Sequence, residues 1–403
     1  MERKHIGIGT YRMSVDVDSH IESINYAIEN GCCFIDTATN YKKGKAEELI
    51  GFVIDKHIQK EVKIITKAGY VDEAHVSSFK EDSFLINEKF YHSIDSSYID
   101  YMLNNSLKKM RMDSIHSFLL HNPEYILSTL NDESLFYKMV KTAFLKLEEL
   151  SDEGLIECYG ISSNTFALHG EKNHIDVERL LEIANEISSN NRFKMIQFPF
   201  NIYENRALEK RYSNKKYNLF EFCKKNKIKT FINRPFIGTI NRRPVPIVIY
   251  EDLALKDLNN NVFRDFVQKL SKIISEKEVS KIIETEAFLF LKENEKKFKS
   301  DKLLRIFIKN HLYVVFEKEK IVMSTKLFEI IEWLYNELLN HIKYRVSLFN
   351  KNIKEKICSQ NPEFNKNESY ASILCRLYLK QGADVVLTGM RKIEYVDKIK
   401  HLF

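Results

Sequence analysis

Along most of the chain, short apolar runs rich in β-branched residues alternate with longer segments of helical periodicity, and this alternation limits the available folds more than any other feature. It is the pattern of a parallel sheet built from βα units, because each parallel crossover is carried by a helix. The runs fall at residues 6–9, 34–37, 62–66, 115–120, 158–162, 195–198, 229–232 and 383–388. Eight of them predict closure into an α/β barrel of (β/α)8 type. The segments between them carry apolar stripes, as at Ile21, Ile24, Ala27 and Ile28 ahead of Gly31, and across residues 136–150 ahead of Gly154. A glycine in that place can end a helix in a left-handed conformation.

A barrel of this kind takes about 250 residues, so a chain of 403 has a surplus to place. The βα rhythm stops between Gly238 and Glu363, where helix-like spacing appears at residues 263–274, 279–291, 303–315 and 327–344. The expected organisation is therefore residues 1–237 with barrel strands one to seven, a helical insertion over 238–363 between strand seven and helix seven, and residues 364–403 with the last helix, strand and helix. No Pro- or Ser-rich linker sets the insertion apart. It leaves the barrel on the side where active sites of such barrels lie, so it is expected to pack there as a lid or to present a docking surface for a protein partner.

Hydrophobic content of 44% with 29% charged residues excludes a disordered chain and allows a sizeable core. The net charge of +6 is interspersed on helix faces, which gives no footprint for nucleic acid. Six scattered cysteines show neither a zinc spacing nor a disulfide framework, and Cys32-Cys33 precedes a strand as small buried hydrophobes do. No metal site is expected. Neither a secretory signal nor an apolar run of membrane-spanning length is visible, so the expected location is the cytoplasm and no membrane partner is expected.

Four residues of chemical interest stand at or just beyond successive strand ends: Asp36 in Phe34-Ile35-Asp36-Thr37-Ala38, Tyr41 in the loop that follows, Lys67 after Ile64-Ile65-Thr66, and His121 in Leu119-Leu120-His121-Asn122-Pro123-Glu124. In a barrel these positions converge on one mouth. A buried Asp–Lys pair satisfies both charges and sets an ammonium beside the tyrosine hydroxyl. That arrangement is expected to lower the phenol's pKa and make it a better general acid.

These segments resemble the aldo-keto reductases, in a form seen in sugar-dehydrogenase-like and uncharacterised bacterial branches, and the likeness runs through nearly the whole barrel. Phe34-Ile35-Asp36-Thr37-Ala38-Thr39-Asn40-Tyr41, with Gly44 and Glu47-Glu48-Leu49-Ile50-Gly51, resembles the family's first signature. Thr66-Lys67 resembles its lysine segment, and residues 106–124 resemble the segment that carries the catalytic histidine. The resemblance implies a TIM barrel and a tetrad of Asp36, Tyr41, Lys67 and His121. In it Tyr41 protonates a carbonyl oxygen as hydride arrives from a nicotinamide, Lys67 held by Asp36 tunes the tyrosine, and His121 orients the carbonyl.

The same resemblance implies a cofactor site. Gly9-Thr10 is similar to the first-strand pair that passes close to the nicotinamide. Ser162 and Asn164 in Gly160-Ile161-Ser162-Ser163-Asn164, and Gln197 on the sixth strand, are similar to the residues that hold the carboxamide. Asn233 and Arg234 occupy the seventh-strand segment, with Asn233 where many members stack an aromatic ring on the nicotinamide. Gly389, Met390 and Arg391 resemble the phosphate-binding turn after strand eight, and Arg391 is expected to clamp a 2′-phosphate, which favours NADP(H) over NAD(H). Asp397-Lys398-Ile399 replaces the Glu-Asn pair that commonly contacts adenine. The implied substrate is a small carbonyl compound or sugar. The alternatives are a cofactor-binding regulatory subunit with little catalysis, as in channel-associated members of the superfamily, and a reductase acting on a protein-bound substrate.

Overall fold

The computed structural model describes residues 5–54, 62–240, 243–250 and 258–403. The eight barrel strands are β1 (His5–Gly9), β2 (Phe34–Asp36), β3 (Lys63–Ala68), β4 (Ile115–His121), β5 (Ile156–Ser162), β6 (Phe193–Pro199), β7 (Lys229–Asn233) and β8 (Val385–Thr388). All pair in parallel with their sequence neighbours, and β8 pairs with β1 to close the ring. The fold is the expected α/β barrel with a large helical insertion. Inside it, Phe34, Ile65, Leu119, Met195, Phe231, Val385 and Leu387 pack as a buried cluster, so the interior is a filled core. At Gly160, where the β5–β6 register shifts, a Cβ would lie 1.9 Å from the Met195 carbonyl oxygen. Only glycine admits that approach.

Helices Asp18–Glu29, Lys45–Val53, Ser96–Met110, Glu133–Asp152, Val177–Ile187 and Leu219–Lys225 follow the first six strands, and Tyr370–Lys380 precedes β8. Several start on side-chain caps that satisfy otherwise orphaned amides: Asp95 accepts from Ser97 N, Asp132 from Leu135 N, and Asn218 forms a capping box with Glu221. One feature departs from the sequence-based expectation. β3 continues through Lys67 to Ala68, and the chain then forms a small antiparallel sheet of Tyr70–Val71, Phe84–Ile86 and Phe90–His92 before the next barrel helix.

The chain divides into two compact units, residues 1–235 with 371–403, and residues 236–370. The second unit opens with an antiparallel hairpin, Ile237–Ile240 and Arg243–Pro246, and is otherwise helical. Its core is its own, built from Phe266, Leu270, Ile282, Leu291, Leu312, Leu327, Ile331 and Leu334 among others. The span expected as one helix over 279–291 is broken at Thr285, whose hydroxyl caps a new helix, Glu286–Asn294. The last helix runs from Thr325 to Gln360, well beyond the expected end at Tyr344. Among the described residues no helix is long and apolar enough to cross a membrane, and no cluster of His, Cys, Asp and Glu could hold a metal ion. All six cysteines are free thiols.

Candidate active site

Because every barrel strand points the same way, their C-terminal ends share one mouth, and each contributes a residue of interest. Gly9, Asp36, His121, Ser162, Asn233 and Thr388 are the last residues of β1, β2, β4, β5, β7 and β8, while Lys67 and Gln197 lie just inside the ends of β3 and β6. Tyr41 comes from the turn after β2. That turn holds Lys42 and Lys43 at φ of 50° and 57°, followed by Gly44 at 88°. Two consecutive non-glycine residues in the left-handed region are costly, and such strain persists where surrounding structure fixes it, commonly at functional sites.

Lys67 is fully buried and its Nζ lies 2.7 Å from Asp36 Oδ1. The ammonium also donates to the Thr37 carbonyl at 2.5 Å and to the Tyr41 hydroxyl at 3.5 Å. The Tyr41 ring packs edge-on against His121, with centroids 5.9 Å apart, and against Tyr11 at 5.1 Å. The four tetrad candidates therefore meet at one point.

Burial dominates the electrostatics here. It pushes the Asp36 carboxyl up and the Lys67 ammonium down, and their mutual attraction opposes both shifts. It holds His121 well below the usual histidine value, aided by the Lys67 charge, so the imidazole is neutral. The expected lowering of the Tyr41 pKa is not found. Burial raises the phenol well above its ordinary value, and the Asp36 carboxylate adds to that. Tyr41 thus carries its proton at neutral pH, which is the state a proton donor needs.

The residues expected to hold a nicotinamide carboxamide are brought to the same mouth, but their polar atoms bond within the protein. Gln197 donates from Nε2 to Asp36 Oδ1 at 2.7 Å, and its Oε1 accepts from Ser162 Oγ at 2.9 Å and Asn233 Nδ2 at 3.3 Å. Asn164 donates through both its backbone and its side chain to Glu124 Oε1 at 3.0 Å, donates to Asn122 Oδ1 at 3.1 Å, and accepts from Arg234 Nη2 at 2.6 Å. Arg234 has φ of 56° and a longer contact to Glu204. Thr10 is buried, with its hydroxyl on the Asp36 carbonyl at 3.0 Å.

After β8, the Met390 side chain is buried and its carbonyl accepts from Ser23 Oγ at 2.7 Å, which ties the turn to the first barrel helix. Gly389 faces open space, and Arg391 and Lys42 both bear on His20, whose pKa they and burial hold down. Asp397 is engaged by Tyr26 and Lys400. Buried polar atoms without a protein partner include Asn233 Oδ1, Thr388 Oγ1 and His121 Nδ1. The first two stand on adjacent strands beside the open Gly389 turn. These unsatisfied groups fit a polar cofactor head and a carbonyl oxygen better than an apolar ligand.

Sequence reasoning did not single out Tyr70, His92, Asn122 or Glu124. Tyr70 packs on His121 at 5.0 Å and accepts from Asn122 Nδ2 at 2.7 Å, while the buried His92 donates from Nε2 to the His121 carbonyl at 2.7 Å. Glu124 is buried and anchors Asn164. Its place after a strand-end histidine and proline was the one sequence signal available.

Fold and site define a closed (β/α)8 barrel whose mouth gathers Asp36, Tyr41, Lys67 and His121. The family model described as the aldo/keto reductase family matches residues 5–285, and the chain belongs to that family. β8 lies beyond the matched span, so closure of the barrel is supplied by the structure. Among relatives, the chain is 24% identical over 238 residues to aldo-keto reductase YhdN of Bacillus subtilis, covering 58% of each chain. It is 26% identical over 163 residues to the uncharacterized oxidoreductase YqkF of Bacillus subtilis, covering 40% of this chain and 46% of that one. The chain spans about half the length of the curated relatives it matches. The solved structure of aldo-keto reductase AKR11C1 from Bacillus halodurans, in its holo form, aligns with a TM-score of 0.50 at 14% identity, over 99% of this chain and 86% of that one, and so shares the fold.

Proposed function

We propose that this chain is an NADP(H)-dependent reductase that interconverts an aldehyde, ketone or sugar carbonyl and the corresponding alcohol, with Tyr41 as proton donor. The observation that carries the reading is the buried Asp36–Lys67 pair with its ammonium 3.5 Å from the Tyr41 hydroxyl and the neutral His121 ring alongside. When bound, the cofactor supplies or accepts the hydride. Tyr41 gives its proton to the carbonyl oxygen and becomes a phenolate beside the Lys67 ammonium, and in the alcohol-to-carbonyl direction the phenolate takes the proton back. The imidazole of His121, neutral and with Nδ1 unpartnered, is placed to hydrogen-bond the carbonyl oxygen, and donors already fixed in position stabilise developing charge without reorganising.

Gly9, Thr10, Asn233, Arg234 and the turn of Gly389, Met390 and Arg391 would hold the cofactor, with Asn233 Oδ1 and Thr388 Oγ1 as free acceptors. Ser162, Asn164 and Gln197, brought to the same mouth, would hold its carboxamide. Arg391 and Lys42, both close enough to act on His20, favour a phosphorylated cofactor. The test is NADPH binding by fluorescence with the purified chain, followed by turnover across aldehydes, ketones and sugars. Binding without turnover of any carbonyl would favour a regulatory role over catalysis.

A further inference from the structure

We infer that the helical insertion is an interface between two copies of this chain. A two-fold axis near Tyr313 packs residues 301–318 of one copy antiparallel on the same residues of the other, with each Lys309 facing the second copy's Glu317. The surface is a cleft of about 520 Å³ between that stretch and the long helix Thr325–Gln360. The inference stands apart from the reductase reading, and its test uses no substrate.

Residues 301–318 form one helical run, Asp301–Phe307 and Tyr313–Lys318 in α geometry with a π turn, Ile308–Leu312, between them. Arg305, Lys309, Tyr313 and Glu317 recur in it at every fourth residue. In an α-helix each such step overshoots a full turn by about 40°, so the row would wind away from any one surface. The π turn takes more residues per turn and rotates the row back, and all four side chains line the same cleft. From the long helix, Phe328 lines it too, half exposed and with its ring 6.4 Å from that of Tyr313.

The order of charges disfavours this helix taken alone. Lys309 follows Arg305 by four residues, which sets like charges side by side, and Glu317 stands in the last turn, where the macrodipole favours cations. Arg305 is compensated within the insertion: it donates to the Tyr335 hydroxyl at 2.7 Å, lies 3.7 Å from Asp301 and feels the Glu332 carboxylate. Lys309 and Glu317 are exposed and have no ion-pair partner among the described residues. They flank Tyr313 at equal spacing with opposite sign. A row of cation, aromatic and anion is complementary to itself when paired antiparallel, so a two-fold axis at Tyr313 satisfies both charges twice and buries the Tyr313 and Phe328 rings at the centre. Aromatic rings inside and charges at the rim are the usual anatomy of a protein interface.

Sedimentation velocity of the full chain over a range of concentrations should show a dimer that weakens as salt is raised. Lys309→Glu and Glu317→Lys should each weaken it by about a hundred-fold, because the axis turns one reversal into two like-charge contacts. An equimolar mixture of the two variants should dimerise again, and so should the chain that carries both changes, since each restores opposite charges across the axis. A parent that stays monomeric at every concentration would overturn the inference. So would a dimer that neither reversal weakens, or reversals that neither the mixture nor the double variant repairs. Should a reversal not fold, the milder Lys309→Gln and Glu317→Gln replace it: each should weaken the dimer by about ten-fold, and dimerisation equal to the parent's in both would again overturn the inference.

Discussion

Lowering the pH should destabilise this barrel through His92, by an amount the structure lets us work out. His92 is fully buried among Tyr70, Tyr125 and the His121 backbone, and its Nδ1 has no partner. Burial drives its pKa from 6.5 down to about 4. Between those values the unfolded chain binds a proton that the folded chain does not, so stability is complete above the unfolded value and falls as pH drops toward the folded one. The full difference is about 3 kcal/mol, and about 2 kcal/mol of it is lost on going from about pH 7 to about pH 5. Other histidines, the half-buried His116 among them, shift in the same direction, so the parent's total loss is larger. His92→Gln isolates the contribution, because a glutamine amide can still donate to the His121 carbonyl but does not titrate. Urea unfolding at both pH values should show the variant losing about 2 kcal/mol less than the parent over that interval. Equal losses would refute the assignment of His92 as a buried neutral histidine.

Tyr41→Phe should leave NADPH affinity in place and lower kcat by a factor on the order of 10² or more, and undiminished turnover would remove Tyr41 as the acid. Asp36→Asn should cost about 3–5 kcal/mol in urea unfolding by stranding the Lys67 charge, while Asp36→Asn with Lys67→Met should recover most of it; additive losses would contradict a tightly coupled pair. Arg391→Ala should weaken NADPH about ten-fold or more and NADH little, since only the first loses a charge-assisted fork, and equal weakening of the two would make Arg391 a support for its turn.

The barrel could be read from the sequence because parallel strands covered on both faces are runs of apolar residues at any register, and the meeting of Asp36, Tyr41, Lys67 and His121 could be expected because they sit within or beside the ends of such runs. What could not be read has a common cause. Tyr70–Val71, Phe84–Ile86 and Phe90–His92 are strands of two or three residues in a polar stretch, too short for a period to register, and they are held by pairing with one another, by Tyr70 packed on the His121 ring and by His92 on the His121 carbonyl. The helix from Thr325 runs past Tyr344 through Lys, Asn and Glu that carry little apolar stripe; Ser347 and Asn350 stay buried there because Tyr250 and Pro246 meet them. The direction of the Tyr41 shift depends on how deeply the fold buries the phenol, with the Asp36 carboxylate adding to it, and the partners of Gln197 depend on which of its two ends faces Asp36. Sequence spacing brings such groups to one mouth, whereas the choice of partner among several within reach is made by three-dimensional hydrogen-bond satisfaction. A glutamine on β6 is therefore legible as a candidate site residue, whereas its bonds to Asp36, Ser162 and Asn233 become visible only in the fold.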